Sequence, residues 1–255
     1  LADGTTAVVE AAQASGLALV PEDRRDPWEA STRGTGELIV AAQDTGAKTI
    51  IVCVGGSATT DGGEGAVSVL KEADLRAKLK VACDVRSKWE DAAILYGPQK
   101  GADEKTVERL TARLDELASK APKDPRGLEG TGCAGGLSGA LWAYFDAQLI
   151  PGANLVLDTV GFDALMAEAR FVVTGEGKLD QQTLEGKAVS EIAIRCRQAG
   201  CACHAVVGQN ALSAFYVRLL DLASVREATT QKELSECAFE LASSYNTTGA
   251  KSARR

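Results

Sequence analysis

The chain has 255 residues, with 28 Lys and Arg against 35 Asp and Glu and a formal net charge of −7. That length admits one large domain or two ordinary ones. The charge argues against a general nucleic-acid surface, which needs clustered positive residues, and no apolar run reaches the length of a membrane span. The cysteines are Cys53, Cys83, Cys133, Cys196, Cys201, Cys203 and Cys237. They are scattered and no secretory signal precedes them, so free thiols in a reducing, cytoplasmic compartment are expected. The chain begins at Leu1 and its only methionine is Met166, so a native start is expected upstream.

In chain order, residues 5–9 predict a strand and the following AAQASG a short helix ending at Gly16. Residues 21–34, with Pro21 and Pro27, read as a loop. Residues 35–46 predict a helix with Leu38, Ile39 and Ala42 on one face, stopped by Gly46. A buried strand over 48–54 leads into VGGSATTDGGEG at 54–65. Glycines at a strand end let backbone amides approach an anionic oxygen. Ser57, Thr59 and Thr60 add hydroxyls, while Asp61 and Glu64 carry the charge that suits Mg²⁺. The segment reads either as a site for a phosphorylated ligand with its metal or as a crossover loop that lets a strand meet a helix closely.

A second buried strand, 78–85, ends near Asp84. Residues 103–120 predict a helix with Asp103 as N-cap and a stripe of Val107, Leu110, Leu114 and Leu117, which is core packing. After a Pro-containing connection at 121–130, a glycine-rich stretch opens a helix over 136–147. Strands are predicted at 170–174, 201–207 and 223–227, with helices at 183–198, 211–222 and 231–244; the polar tail 246–255 is expected to be disordered. Strands alternating with helices predict a parallel α/β sheet covered on both faces.

Several motifs fail in context. Gly130, Gly132 and Gly135 match G-x-G-x-x-G, but a loop precedes them where a dinucleotide site needs a strand. Gly186-Lys187 lacks the first glycine and the final Ser or Thr of a P-loop. Cys201, Cys203 and His204 alternate along a strand without zinc-site spacing. His204, the only histidine, reads as structural rather than as part of a Ser-His-Asp set. The remaining polar groups sit at the carboxyl ends of predicted strands, where α/β ligands collect. They are 55–61, Asp84 and Thr174 to Lys178, with Lys100 and Lys187 adding positive charge. Lysines and glycines with carboxylates are the inventory of phosphoryl transfer.

The segments GTGELIVAA (34–42), VGGSATTDGGEG (54–65), ACDV (82–85), GPQKGA (97–102), AGGLSGAL (134–141), PGANLVLDTVGFD (151–163) and VVTGEGKLDQQTLEGKA (172–188) follow one another as in the class I, bacterial-type glycerate kinase family, which the chain resembles over most of residues 5–210. The resemblance implies an ATP- and Mg²⁺-dependent kinase of D-glycerate forming 2-phosphoglycerate. It implies a fold of two α/β domains with the active site in the cleft between them. On that pattern, 1–169 is the second α/β domain, on the substrate side, and 170–255 the C-terminal part of an incomplete, Rossmann-like parallel-sheet domain. The implied catalytic residues are Asp84, Glu176, Lys178 and Lys187, with Asp84 and Glu176 as Mg²⁺ ligands. Gly55, Gly56, Ser57, Thr59, Asp61, Lys100, Gly175 and Gly177 are the implied nucleotide-binding residues. Glycerate, ATP and a second copy of the chain are the expected partners, with neither nucleic acid nor membrane.

The chain departs from the family pattern in four places, one of them RSKWED (86–91), which replaces a longer loop after CDV. The family's N-terminal strand and DSFKGS-type loop are absent from it. Thr60 stands where Asn is usual, and the connection between Gly65 and Val81 is shorter. A chain so reduced is expected to turn over poorly. The alternatives are a non-catalytic remnant or binding module of the same fold, or a kinase for another small hydroxy acid.

Overall fold

The computed structural model describes residues 1–252, with side chains at all of these except Gln182, Glu185 and 246–252. The chain forms two compact units, Leu1–Gly152 and Ala153–Arg255. The segment 153–169 thus groups with the second unit, whereas the sequence pattern assigned it to the first.

In the first unit, β1 (Thr6–Glu10), β2 (Thr49–Cys53), β3 (Lys78–Cys83) and β4 (Gln148–Pro151) form a parallel sheet in that order. Its helices are α1 (Ala12–Ser15), α2 (Arg33–Asp44), α3 (Glu64–Glu72), α4 (Ala92–Tyr96), α5 (Glu104–Lys120) and α6 (Leu137–Phe145). Side chains alternate along a strand. Val9, Ile50, Val52, Leu79 and Val81 accordingly share one face, where they pack on Ile39 of α2, Leu70 of α3 and Leu137 and Leu141 of α6. Strands that follow one another across a sheet through right-handed crossovers send their helices to the same side. The opposite face carries Val8, Lys78 and Lys80, all exposed, and Ile51 and Ala82, both buried. The strand order of this sheet never reverses, so α2, α3 and α6 share one face.

A second cluster backs the first: Trp89 and Ala93 pack on Leu110 and Leu114 of α5, and the Trp89 indole N–H donates to the Leu114 carbonyl at 2.8 Å. Asp103 caps α5 as expected, accepting from the Thr106 amide at 2.8 Å. The connection between α3 and β3 has its last amides paired: the Gln43 side-chain oxygen accepts from the backbone N–H of Arg76 at 2.6 Å and of Ala77 at 3.1 Å. Strand β4 has no counterpart among the predicted elements; it is four residues long and ends in Pro151, both of which weaken a strand signal.

The second unit contains α7 (Gly152–Thr159), α8 (Phe162–Glu168), β5 (Val172–Leu179), α9 (Ala188–Ala199), β6 (Cys203–Asn210), α10 (Ala214–Leu219), β7 (Ser224–Glu227) and α11 (Gln231–Ser252). Its parallel sheet runs β5-β6-β7. Cys203, Ala205 and Val207 of β6 join Val189, Ala193 and Cys196 of α9 in one cluster. On the other side of β6, His204 bonds Tyr245 of α11, so this central strand is covered on both faces. Arg195 of α9 reaches Asp158 of α7 at 2.7 Å and Asp163 of α8 at 3.1 Å.

Two expectations are corrected in this unit. Helix α11 takes in residues 246–252 of the tail that was expected to be disordered; 253–255 lie outside the described residues. Strand β5 runs five residues past its predicted end at 174, to Leu179, because Glu176, Lys178 and Leu179 continue the register with Val207, Gln209 and Asn210 of β6. All seven cysteines are unbridged, as expected. Among the described residues no helix is long and apolar enough to cross a membrane.

Candidate ligand site

In the first unit the glycine loop leaves the carboxyl end of β2 and is held from three sides. The first hold is Ser15–Leu17, where the Ala58 amide donates to the Ser15 carbonyl and the Leu17 amide to the Gly56 carbonyl, both at 2.8 Å. The second is the turn before α6. The Gly62 amide donates to the Gly135 carbonyl at 3.0 Å. Gly135 has φ +63°, and a Cβ there would lie 2.1 Å from the Thr59 carbonyl oxygen. Only glycine permits that approach. Gly135 is thereby explained by packing, as is Gly132, where a Cβ would lie 2.2 Å from the Lys88 carbonyl oxygen.

The third hold is Lys100. Its side chain is almost wholly buried, and its ammonium donates to Ser57 Oγ at 3.1 Å and to the Thr59 carbonyl at 2.6 Å. Burial pushes its pKa down to about 8, and the nearby charges of Asp61 and Asp84 pull it back only in part.

Asp61 is also buried, but its role differs from the one its sequence position implied. Oδ2 accepts from the Thr32 amide and hydroxyl, each at 2.8 Å, and from the Gly65 amide at 3.3 Å. Oδ1 accepts from the Gly63 amide at 3.1 Å. Four donors occupy the carboxylate, so Asp61 ties the loop to α2 and α3 and presents no oxygen to a ligand. Asp84, one residue past β3, is exposed. A Cβ on Gly55 would lie 3.4 Å from its Oδ2, so this carboxylate borders the open part of the loop. The first unit thus brings together Gly55, Gly56, Ser57, Thr59, Asp61, Asp84 and Lys100.

In the second unit, Gly175, Glu176, Gly177 and Lys178 lie within β5 itself and not in a loop after it. Gly175 lies against β6, where a Cβ would meet the Val206 carbonyl oxygen at 2.3 Å; it fits strand pairing rather than a phosphate cradle. Glu176 and Lys178, two apart, share a face. Glu176 accepts from the Thr183 hydroxyl at 2.5 Å, and the Lys178 ammonium lies 3.9 Å from Asp180. Thr183 Oγ1 also accepts from the Asp180 amide at 3.1 Å, so the LDQQT turn is closed on Glu176. Lys187 is the N-cap residue of α9 and half-buried.

Sequence reasoning missed Thr32 and Thr183, the hydroxyls that fix Asp61 and Glu176. Both are fully buried, and a lone Thr in a loop carries no signal of its partner. Among the described residues no three His, Cys, Asp or Glu side chains group as a metal site.

The chain matches the model of the glycerate kinase family over residues 1–73 and 69–254. The two matched segments overlap over 69–73, at the carboxyl end of α3. The chain is 41% identical over 243 residues to the glycerate kinase of Halalkalibacterium halodurans, an overlap covering 81% of this chain and 64% of that protein. It is 40% identical over 224 residues to the glycerate kinase of Bacillus subtilis, covering 73% and 59%. With the glycerate 2-kinase of Escherichia coli it shares 36% over 222 residues, covering 72% and 58%. A crystal structure from Salmonella typhimurium LT2, provisionally named glycerate kinase 2, superposes with a TM-score of 0.71 and 31% identity over 97% of this chain and 78% of that one. The matched region spans less than two thirds of the length of these curated relatives, 58% to 64%.

Proposed function

The chain belongs to the glycerate kinase family, and from that premise we propose that it carries the ligand site of an ATP- and Mg²⁺-dependent phosphotransferase whose acceptor is D-glycerate and whose product is 2-phosphoglycerate. The observation that carries this reading is the buried Lys100 ammonium bonded to the glycine loop beside the exposed carboxylate of Asp84. Phosphoryl transfer demands little covalent chemistry of a protein; it demands positioning and charge neutralisation.

In this reading Gly55, Gly56, Ser57 and Thr59 meet phosphate oxygens through amides and hydroxyls. Mg²⁺ is commonly held by one or two carboxylates with phosphate oxygens and waters supplying the rest. Asp84, an exposed carboxylate against bare glycine backbone, fits that arrangement. When bound, the ion supplies neutralisation of the phosphate charge. Glu176, fixed by Thr183, is assigned to orienting the acceptor hydroxyl, and Lys178 and Lys187 to offsetting negative charge.

The test is glycerate-dependent ADP release from MgATP by the purified protein, with the product's phosphate position read by phosphorus NMR. Phosphate on the 2-oxygen is expected. Faster turnover of another small hydroxy acid would reassign the acceptor. MgATP binding without turnover on any hydroxy acid would mark a binding module and overturn the kinase reading.

A further inference from the structure

Lys100 has no described contact that would place it on a ligand: both of its bonds end on the loop. Its approach is built into the GPQKGA segment. Pro98–Lys100 form a single 3-10 turn. Gly101 then reverses the chain at φ +98°, in a position where a Cβ would lie 2.6 Å from the Arg25 carbonyl oxygen. A side chain at 101 would push the turn outward and withdraw the ammonium. The segment thus delivers a cation into the underside of the glycine loop.

The chemistry at Ser57 then follows from donor and acceptor counts. An ammonium has three donors and no lone pair, whereas a hydroxyl has one donor and two acceptor sites. In the Lys100–Ser57 bond the serine oxygen must be the acceptor, so its own proton points elsewhere. The loop backbone at 56–58 is already fixed by Ser15–Leu17, and the Thr59 carbonyl is fixed by the same ammonium. The loop backbone is thus held on both sides of Ser57, and the direction that faces the ammonium is closed to the Ser57 proton.

Resting on the ligand reading above, we propose that Lys100 is a positioning residue: by occupying the acceptor side of Ser57 it commits the Ser57 hydroxyl to donate to an anionic, phosphate-type oxygen, and by holding Thr59 it keeps that donor in register with the Gly55-Gly56 backbone. Lys100 does not touch the ligand. It acts through Ser57, and the two residues form one device.

Two measurements on the full chain test this. The first is hydrogen exchange across 54–63 in wild type and Lys100→Met, which needs no ligand. Faster exchange confined to that loop is expected, and unchanged protection would overturn the clamp. The second is a double-mutant cycle on MgATP affinity with Lys100→Met and Ser57→Ala. Removing a hydrogen bond to a charged group weakens binding by about ten- to a hundredfold, so each single variant should lose affinity in that range and the double variant little more than the worse single. Losses that multiply would show two independent contacts and overturn the proposal. If Lys100→Met does not fold, Ser57→Ala alone decides: unchanged MgATP affinity overturns it. A wild-type protein that binds no MgATP sinks the kinase reading, while hydrogen exchange still judges the clamp on its own.

Discussion

At the scale of single residues, two aspartates that look alike in sequence separate by their partners. Asp61 accepts four hydrogen bonds, three of them from backbone amides. Asp61→Asn would turn one acceptor into a donor facing donors, a buried mismatch that costs about 1–3 kcal/mol. Asp84 is exposed, so Asp84→Asn should leave the melting temperature within a degree or two. It should instead weaken MgATP binding while leaving metal-free ATP binding unchanged. Thermal melts and titrations with and without Mg²⁺ check both. Lys100 gives a pH signature of known sign. Its folded pKa of about 8 lies below the ordinary 10.5, so between those values the unfolded chain binds more protons and stability rises with pH. Burial pushes up the thiols of half-buried Cys53 and of buried Cys196 and Cys203, Cys203 to about 12, and these act in the opposite sense, so only a difference isolates the lysine. The stability of wild type minus that of Lys100→Met should increase by roughly 3 kcal/mol from pH 7 to 11, whereas MgATP binding, which depends on the charged form, should weaken above pH 8. A flat difference in denaturant midpoints across this range would contradict the burial of a charged lysine. The glycine loop and the polar residues around it were legible in the sequence. The division between an exposed Asp84 and a loop-tying Asp61 was not, because it rests on Thr32, 29 positions away from Asp61.

At the scale of elements, legibility followed the strength of the local signal. Helix α5 emerged with its cap and stripe as predicted, since both are encoded within one segment. The length of β5 did not, because TGEGK looks like a loop until β6 supplies the pairing register that extends the strand through it. The far end of α11 was misread as tail for a similar reason: its sequence gives no apolar periodicity, and Tyr245, just before it, finds its partners in distant segments. Tyr245 bonds His204 Nε2 at 2.8 Å and stacks on Phe171 with ring centroids 4.3 Å apart, while His204 Nδ1 meets Ser224 at 2.7 Å. This Ser-His-Tyr set lies at the amino ends of β6 and β7, opposite the end where α/β ligands collect, and so reads as a fastener. Tyr245→Phe keeps the stack and removes the hydroxyl, and should destabilise by about 1 kcal/mol with no effect on MgATP affinity. Burial and the neighbouring Arg226 lower the His204 pKa. Its contribution to stability is therefore present above about pH 6.5 and lost as pH falls through the folded value. A Tyr245→Phe variant with impaired nucleotide binding but unchanged melting would contradict the fastener assignment.

At the scale of the whole molecule, the chain is two bodies with separate interiors. The first unit has two adjoining apolar clusters, one on its sheet and one around Trp89 and α5. The second has a single smaller cluster around β6 and α9. It also leaves Leu165, Val173, Phe215, Leu234 and Phe239 exposed. Buried apolar area is the main source of stability, so the second unit should unfold first. The aromatic residues allow a direct reading, because Trp28, Trp89 and Trp142 all belong to the first unit. Tryptophan fluorescence therefore reports that unit alone, while far-ultraviolet circular dichroism reports helices in both. In a urea titration the dichroism should begin to fall at lower denaturant than the fluorescence, with two midpoints in place of one. Coincident transitions are the standard mark of a single cooperative unit. If the two probes superimpose, the interiors are coupled strongly enough to melt together, and the division of the chain at Gly152 is geometric only.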